Sequence, residues 1–223
     1  MAISGVIIQA GGSGLRLGGV SKADYLIEGL RLLDILLTEI SLAFPIFSIA
    51  EGEAPRIVVV GPPDLQVPRH VRLTLEDPPG GGPLAGIGAG VEALGELTDE
   101  ALIALATCDA PLAPRLFGAL EDALHLGHFK GGSDKDTALE NESGLVEGAV
   151  PLTADGEGWA QYMHGIYPLK TLRKLTICRD SSVRKAFQGL NLAQIKDTEN
   201  WCMDVDTPAD AARLAAKMRE EPA

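Results

Sequence analysis

A glycine-rich segment near the start of the chain carries two spaced cations. Residues 10–22 read AGGSGLRLGGVSK, with five glycines, Arg16 and Lys22. Glycines let backbone N–H groups approach an anion closely, and the two cations can neutralise its charge. The segment is therefore predicted to hold the phosphates of a nucleotide. The structural alternative is a tight turn that uses glycine for positive φ angles.

Two common phosphate loops do not fit this segment. A Walker loop needs Ser or Thr after Gly-Lys, but Lys22 follows Ser21 and precedes Ala23. The dinucleotide pattern that begins at Gly12 meets Leu17 where its third glycine belongs. A phosphate-binding role for the segment therefore implies another arrangement of the loop.

Acidic residues follow three later stretches of the chain. Asp77 follows a predicted strand and precedes the run PPGGGPLAG, where it could accept hydrogen bonds from a base or a ribose, or be a solvated acid in a turn. Asp109 follows the apolar run ALIALAT and is the leading Mg²⁺ ligand, with a turn-forming or helix-capping role as the alternative. Asp206, in DVDTPAD, either binds the metal as well or caps the final helix.

Strand-like and helix-like segments alternate along the chain and must position these residues. The pattern predicts an α/β fold of three layers with a doubly wound, mostly parallel sheet, and places ligands beyond the carboxyl ends of its strands. Strands are predicted at residues 3–9, 56–60, 71–75, 101–107, 149–152, 165–167 and 192–195. Helices are predicted at residues 30–43, 83–97, 114–126, 168–175, 182–187 and 207–218. Residues 1–223 are expected to form one domain, with a mobile loop or lid at 127–148.

Composition and charge exclude several classes of protein. A net charge of -12 without a basic cluster argues against a nucleic-acid partner. Three widely spaced cysteines form no disulfide or zinc pattern, and Cys108 fits buried packing better than a nucleophile. The first residues lack the features of a signal peptide or membrane span, so a cytoplasmic protein without a membrane partner is expected. The four histidines are interpreted as surface or core-edge residues.

The glycine-rich segment also resembles a known family. Read without a gap, GGSGLRLGGVSK is similar to the G-G-x-x-x-R-M-G-x-x-x-K signature of the molybdenum cofactor nucleotidyltransferases, in particular the guanylyltransferases. Leu17 replaces the usual Met, and Gln9 departs from the common Leu. The GPLAG run, the D-x-P at Asp109 and the segment DVDTPAD resemble further motifs of the family, although the last usually reads N-x-N-T-P-E-D.

The resemblance implies transfer of GMP from Mg-GTP to the phosphate of molybdopterin, with release of pyrophosphate. The Gly11-Gly12 pair favours GTP, since cytidylyl members usually have Ala-Gly at this place. Contact with other proteins of molybdenum cofactor synthesis is compatible with this resemblance. Two alternatives stay open: a cytidylyl- or uridylyltransferase acting on a sugar, terpenoid or other cofactor phosphate, and a non-catalytic nucleotide-binding regulatory protein.

The resemblance also assigns roles to residues. It implies catalytic roles for Arg16, Lys22 and Asp109, and metal binding by Asp109 and Asp206. The residues implied in nucleotide binding are Ala10, Gly11, Gly12, Gly14, Arg16, Lys22, Asp77, Gly82, Pro83, Leu84, Ala85, Gly86 and Asp109. Trp159, Tyr162 and Tyr167 could line an acceptor pocket or simply pack in the core.

Overall fold

The computed structural model describes residues 2–11, 17–19, 21–44, 55–77, 79–127, 145–153, 158–175 and 182–220. Its strands are β1 (Ile3–Gln9), β2 (Leu26–Ile27), β3 (Leu30–Arg31), β4 (Arg56–Val60), β5 (Arg72–Thr74), β6 (Leu102–Thr107), β7 (Gly148–Leu152), β8 (Ile166–Pro168) and β9 (Leu192–Lys196). Its α-helices are α1 (Leu32–Ala43), α2 (Pro83–Leu94), α3 (Phe117–Leu126), α4 (Leu169–Lys174), α5 (Val183–Phe187) and α6 (Pro208–Glu220). Short 3₁₀ turns cover Lys22–Asp24, Ala113–Leu116 and Tyr162–His164.

Seven of the strands form one central sheet in the order β5-β4-β1-β6-β8-β7-β9. β1 pairs in parallel with β4 and β6, β4 with β5, and β7 with β9, whereas β8 runs antiparallel to both of its neighbours. The sheet is therefore mostly parallel, as predicted, and all strands except β8 end at the same edge. Ligands of such sheets bind beyond that edge.

The apolar side chains of β1 alternate between two buried layers. Val6 and Ile8 pack with residues of α1 and α3 on one face of the sheet, and Ile7 packs with residues of α2 and α4 on the other. All three side chains are fully buried. This burial on both faces explains why the strand is continuously apolar, and it confirms the predicted three-layer arrangement.

Helix α2 packs closely on the sheet because it presents glycines to β1. A Cβ atom at Gly86 would overlap the side-chain amide of Gln9, and one at Gly90 would overlap Ile7. The glycine-containing helix predicted here is present, but it ends at Leu94 rather than at residue 97. Gly95 follows with a φ of 72°, a conformation that ends a helix easily only at glycine.

A small hairpin precedes α1, and its second strand takes the first two residues of the predicted helix. Leu26 pairs with Arg31 and Ile27 with Leu30, across a turn in which both Glu28 and Gly29 have positive φ angles. Two positive φ angles are typical of a type I′ turn, which matches the twist of a hairpin. Helix α1 consequently starts at Leu32 instead of residue 30.

The cap of the last helix is also different from the prediction. Thr207, not Asp206, caps α6: the backbone N–H of Asp210 donates to Thr207 Oγ1 at 3.3 Å, and Thr207 N donates to Asp210 Oδ2 at 2.8 Å. This reciprocal pair is a capping box. The carboxylate of Asp206 is thus available to bind a different partner.

The remaining boundaries agree with the predictions to within a few residues. The helix predicted at 114–126 begins as the 3₁₀ turn and continues as α3. Of the predicted loop at 127–148, residues 128–144 lie outside the described residues, and Gly148 is already part of β7. Within the described ranges, no helix is both long and apolar enough to cross a membrane.

Candidate functional site

Asp109 lies just beyond the carboxyl end of β6, next to the end of β1. Thr107 and Gln9, the last residues of these strands, are partners in the sheet, and Cys108 N donates to Gln9 O at 3.0 Å. Asp109 O accepts a hydrogen bond of 2.7 Å from Val205 N. This bond brings the segment before α6 to the edge of the sheet, as the carboxyl-end rule predicts for a ligand site.

Lys22 joins the two acidic segments. Its Nζ lies 2.7 Å from Asp109 Oδ2 and 2.5 Å from Asp206 Oδ1. The side chains of Lys22, Asp109 and Asp206 are 18, 23 and 43% exposed, so the group is sheltered but still reachable from solvent. One ammonium group therefore holds together residues that are 87 and 184 positions away in the chain.

Apolar packing on both sides of the ion pairs explains how Lys22 reaches this position. Leu17 is buried in one cluster with Val205 and Leu214, so the end of the glycine-rich segment packs against the segment that carries Asp206. Ala23, beside Lys22, is fully buried in the neighbouring core. Gly18 is described with a φ of 85°. Glycine adopts a positive φ easily, so this angle agrees with the prediction that glycines let the chain turn in this segment.

The charges of this site depend on one another. Burial alone would raise the pKa of Asp109, but the hydrogen bond and charge of Lys22 outweigh that effect and lower it below its usual value. Burial would likewise lower the pKa of Lys22, whereas its bonds to Asp109 and Asp206 raise it above the ordinary range. Lys22 is therefore positively charged and Asp109 negatively charged at neutral pH.

A third carboxylate, Asp204, stands near the pair. Loss of surrounding water raises the pKa of Asp204 to about 6, and the negative charges of Asp109 and Asp206 act in the same direction. Asp204 as a whole is an exposed residue, so water screens part of this repulsion. The sequence pattern singled out the DVD segment, but it did not predict that Asp204 would feel the charge of Asp109.

The predicted nucleotide loop is only partly described. Ala10 is buried and its N–H donates to Val60 O at 2.8 Å, while Gly11 is exposed at the edge of the sheet. Gly12, Gly14 and Arg16 lie outside the described residues. Their predicted roles therefore stay predictions.

The second predicted segment meets the end of β1 through Gln9. Gln9 Nε2 donates to Pro83 O at 3.3 Å, and the Gln9 amide fills the space beside Gly86. Gly82, with a φ of 84°, precedes α2, so Pro83, Leu84 and Ala85 form the first turn of that helix. The absence of a side chain at Gly86 is thus explained by its close contact with Gln9.

Asp77 and its neighbour differ in what they contact. Asp77 is exposed in the turn after β5. Glu76 Oε1 accepts a hydrogen bond of 3.0 Å from Gly80 N, which folds the Pro/Gly turn back on itself. Both the base-binding and the solvated-acid interpretations of Asp77 fit this exposed position.

His164 is a buried residue that the sequence interpretation placed at the surface or core edge. It is only 3% exposed, and its Nδ1 has no hydrogen-bond partner among the described residues. Burial lowers the pKa of His164 to about 4, against the opposing influence of Asp109 and Asp197. The imidazole is therefore neutral at physiological pH. In the sequence, the only indication that His164 is buried is its position two residues before β8, and this indication is weak.

Asp109 and Asp206 are the residues that could hold a divalent ion. Among the described residues, no group of three or more His, Cys, Asp or Glu side chains is arranged to hold a metal. Magnesium, however, is commonly held by one or two carboxylates, with the remaining positions taken by substrate phosphates and water. Two carboxylates that converge on one cation fit that pattern.

Comparison with known proteins gives a consistent family. Residues 6–144 match the family model described as "MobA-like NTP transferase domain". A molybdenum cofactor guanylyltransferase of Acidiphilium cryptum (strain JF-5) is 36% identical over 110 residues, which are 49% of this chain and 52% of that protein. The chain thus spans about half the length of the curated relative that it matches.

Two solved structures share the fold over nearly their whole length. Molybdopterin-guanine dinucleotide biosynthesis protein A from Archaeoglobus fulgidus has a TM-score of 0.61 and 18% identity, over 97% of this chain and 99% of that one. The 2-C-methyl-D-erythritol 4-phosphate cytidylyltransferase from Thermus thermophilus has a TM-score of 0.63 and 17% identity, over 98% of this chain and 100% of that one. At these identities the likeness concerns the fold alone.

Proposed function

Because this chain belongs to the family of MobA-like NTP transferase domains, we propose that it transfers GMP from Mg-GTP to the phosphate of a molybdopterin-type acceptor. The relative named a molybdenum cofactor guanylyltransferase and the Gly11-Gly12 pair support this choice of donor and acceptor. The observation that carries the proposal is the convergence of Lys22, Asp109 and Asp206 at the carboxyl edge of the sheet.

The reaction needs no protein nucleophile. An oxygen of the acceptor phosphate would attack the α-phosphorus of GTP, the bond from that phosphorus to the bridging oxygen would break, and pyrophosphate would leave. Such chemistry depends on positioning and on neutralising charge. Cys108 agrees with this view, since burial and the charge of Asp109 raise the pKa of its thiol and disfavour the thiolate.

The chain's own residues have separate tasks in this proposal. Asp109 and Asp206 would hold Mg²⁺, which would neutralise phosphate charge when bound. Lys22 would bind phosphate oxygens of the nucleotide. The N–H groups of the segment from Gly11 onwards, together with Arg16, would bind the rest of the triphosphate. The start of α2 and Asp77 would lie beside the base and ribose.

A cytidylyl- or uridylyltransferase is the second candidate. Asp206 stands where guanylyltransferases resembling this chain often have Asn, and one of the solved structures with this fold is a cytidylyltransferase. The acceptor would then be a sugar, terpenoid or other cofactor phosphate. A non-catalytic nucleotide-binding protein is the third candidate, although it would have no need for a paired lysine and two converging carboxylates.

A thermal-unfolding panel with GTP, CTP, UTP and ATP, each with Mg²⁺, separates the first two candidates. A ligand at a hundred times its Kd stabilises the folded protein by about 2.7 kcal/mol, so the preferred nucleotide will give the largest rise in Tm. We expect GTP to do so. A larger rise with CTP or UTP would overturn the choice of guanine.

Two lysine variants provide a matched control for this panel. Lys22→Met should lose the rise with GTP, whereas Lys196→Met, which alters an exposed lysine at the end of β9, should keep it. Pyrophosphate release with GTP and extracted molybdopterin then tests catalysis. Binding of GTP without any release would favour the non-catalytic candidate.

A further inference from the structure

The ammonium group of Lys22 occupies the point on which Asp109 and Asp206 converge. Its Nζ contacts Asp109 Oδ2 at 2.7 Å and Asp206 Oδ1 at 2.5 Å, so one cation is shared by two carboxylates from distant parts of the chain. Asp204 adds a third acid to the same neighbourhood. Lys22 is therefore the internal counter-ion of an acidic cluster.

A divalent ion and this ammonium group cannot both be held in the same way. Magnesium binds carboxylate oxygens at about 2.0–2.1 Å, so an ion held by both Asp109 and Asp206 would lie close to the ammonium group that these two carboxylates now share. Two cations at the same pair of carboxylates would repel each other strongly in a partly buried site. This repulsion favours the departure of Lys22 when the metal binds.

Lys22 needs another anion when it leaves. A sheltered lysine without a partner loses the hydrogen bonds and charge interactions that offset its desolvation. In the proposed function, the phosphates of the bound nucleotide supply that anion, since Lys22 lies at the end of the glycine-rich segment. Nucleotide and metal would therefore each make room for the other.

We propose that Lys22 competes with the divalent cation for Asp109 and Asp206, so that metal and nucleotide triphosphate enter the site as a coupled pair. Without nucleotide, Lys22 holds the two carboxylates and keeps metal affinity low. With nucleotide, Lys22 moves to the phosphates and the carboxylates become available. Such coupling is reciprocal, so the metal must strengthen nucleotide binding by the same factor. The inference rests on the proposed function only for the identity of the anion that receives Lys22.

Metal binding without nucleotide tests the competition directly. Mn²⁺ binding, followed by electron paramagnetic resonance of the free ion, would be compared in the wild type, Lys22→Met, Lys22→Arg and Lys196→Met. Methionine keeps a long side chain and removes the charge, whereas arginine keeps the charge. We expect Lys22→Met to bind Mn²⁺ about tenfold more tightly than the wild type, and the other two variants to resemble the wild type. Equal or weaker binding by Lys22→Met would overturn the proposal.

The tighter binding must also depend on the two carboxylates. Adding Asp109→Asn to Lys22→Met should abolish the gain, because one of the two oxygen donors is weakened. If the gain survives, Mn²⁺ is binding elsewhere and the competition is refuted. Lys22→Gln is a second neutral variant that keeps a hydrogen-bond donor for the carboxylates, in case Lys22→Met does not fold.

Chemical labelling of lysines gives a readout in the wild type. Amine acylation, measured by mass spectrometry, requires a lysine that can lose its proton, and the paired Lys22 should react slowly. We expect Mn²⁺ to increase labelling of Lys22 several-fold and to leave labelling of the exposed Lys196 unchanged. Unchanged labelling of Lys22 at Mn²⁺ concentrations that the wild type binds would contradict the proposal. Since neither measurement uses GTP or an acceptor, a failure of the proposed function would not affect the result.

Discussion

Asp109 and Asp197 both follow parallel strands at the same edge of the sheet, yet they bind different kinds of partner. Asp109 lies beyond β6 and binds the ammonium group of Lys22 at 2.7 Å. Asp197 follows β9, is 1% exposed, and accepts hydrogen bonds of 2.8 Å from the backbone N–H groups of Trp201 and Cys202. One carboxylate holds a side chain from far along the chain, and the other holds a local turn.

The kind of partner distinguishes a candidate functional acid from a structural one. The partners of Asp197 are backbone N–H groups four and five residues away. Asp197 cannot give up these partners for another ligand without unfolding the turn. The partner of Asp109 is a long, flexible cation that can rotate to another anion. Position at the carboxyl edge is shared by both residues, so it is the nature of the partner that distinguishes them.

The largest effect that we expect is on catalysis, from Asp109→Asn. Asparagine keeps the shape but loses the charge that holds Lys22 or a divalent ion, so kcat should fall about a thousandfold, or about 4 kcal/mol of transition-state stabilisation. Pyrophosphate release with the preferred nucleotide and acceptor measures this loss. Unfolding in urea should show a folded protein. Near-normal turnover at saturating Mg²⁺ would remove Asp109 from the site, and Asp122→Asn on the exposed side of α3 is the matched control.

The second largest effect is on stability, from Asp197→Ala. Two backbone donors would lose their acceptor, and an unsatisfied buried donor costs about 1–3 kcal/mol, so the free energy of unfolding should fall by about 3 kcal/mol. Urea unfolding measures the change. Asp197→Asn keeps one carbonyl oxygen as an acceptor and should lose less. A loss below about 0.5 kcal/mol for Asp197→Ala would erase the contrast with Asp109.

His164 lies within the electrostatic reach of both aspartates, and it should make stability depend on pH. The folded-state pKa of His164 is about 4, whereas an unfolded histidine has a pKa of about 6.5. Unfolding therefore takes up a proton as the pH falls below about 6.5, and the stability is lost progressively down to about pH 4. Between pH 8 and pH 5 the contribution of this group should fall by about 2 kcal/mol.

The variant His164→Gln isolates this group because glutamine does not titrate. Its free energy of unfolding, measured in urea at several pH values, should decline less than that of the wild type between pH 8 and pH 5. His70→Gln, at an exposed histidine, should follow the wild type. Parallel curves for the wild type and His164→Gln would show that His164 is not a buried neutral histidine.

The smallest effect should come from Thr207→Ala in the capping box of α6. Loss of an N-cap side chain costs about 1 kcal/mol, so the unfolding midpoint in urea should move only slightly. Asp206→Ala should not weaken the helix in this way, because Asp206 does not cap α6. If Asp206→Ala lowered the midpoint as much as Thr207→Ala, and the double variant lost no more than either, the cap assignment would be wrong.

The fold was largely predictable because burial on both faces leaves a clear pattern. Runs such as RIVVV at 56–60 and LIALAT at 102–107 are apolar and bounded by turns, and both are strands of the sheet. The reversed direction of β8 was not predictable, since three residues contain no local signal of strand direction. The β2–β3 hairpin was not predictable for a similar reason, because strands of two residues are too short to show an apolar pattern.

For the site, the residues were predictable from the sequence but their contacts were not. Lys22, Asp109 and Asp206 were singled out from residue type and position in the sequence, and the structure brings all three together. Their direct pairing was not predictable, because it depends on how segments far apart in the sequence pack in three dimensions. Leu17 and Val205, for example, belong to one buried cluster. The cap was missed because Asp206 and Thr207 are both good capping residues, and only the capping box with Asp210 distinguishes them.

The hydrogen bond between Asp109 O and Val205 N joins two segments that are synthesised far apart in time. Residue 22 leaves the ribosome long before residue 206, so a growing chain can form the first four strands of the sheet while Lys22 still lacks one of its two carboxylates. The pairing of Lys22 with both carboxylates is complete only when synthesis has passed Asp206. A product that ended before Asp206 would contain every strand of the sheet and lack one of the two carboxylates that pair with Lys22.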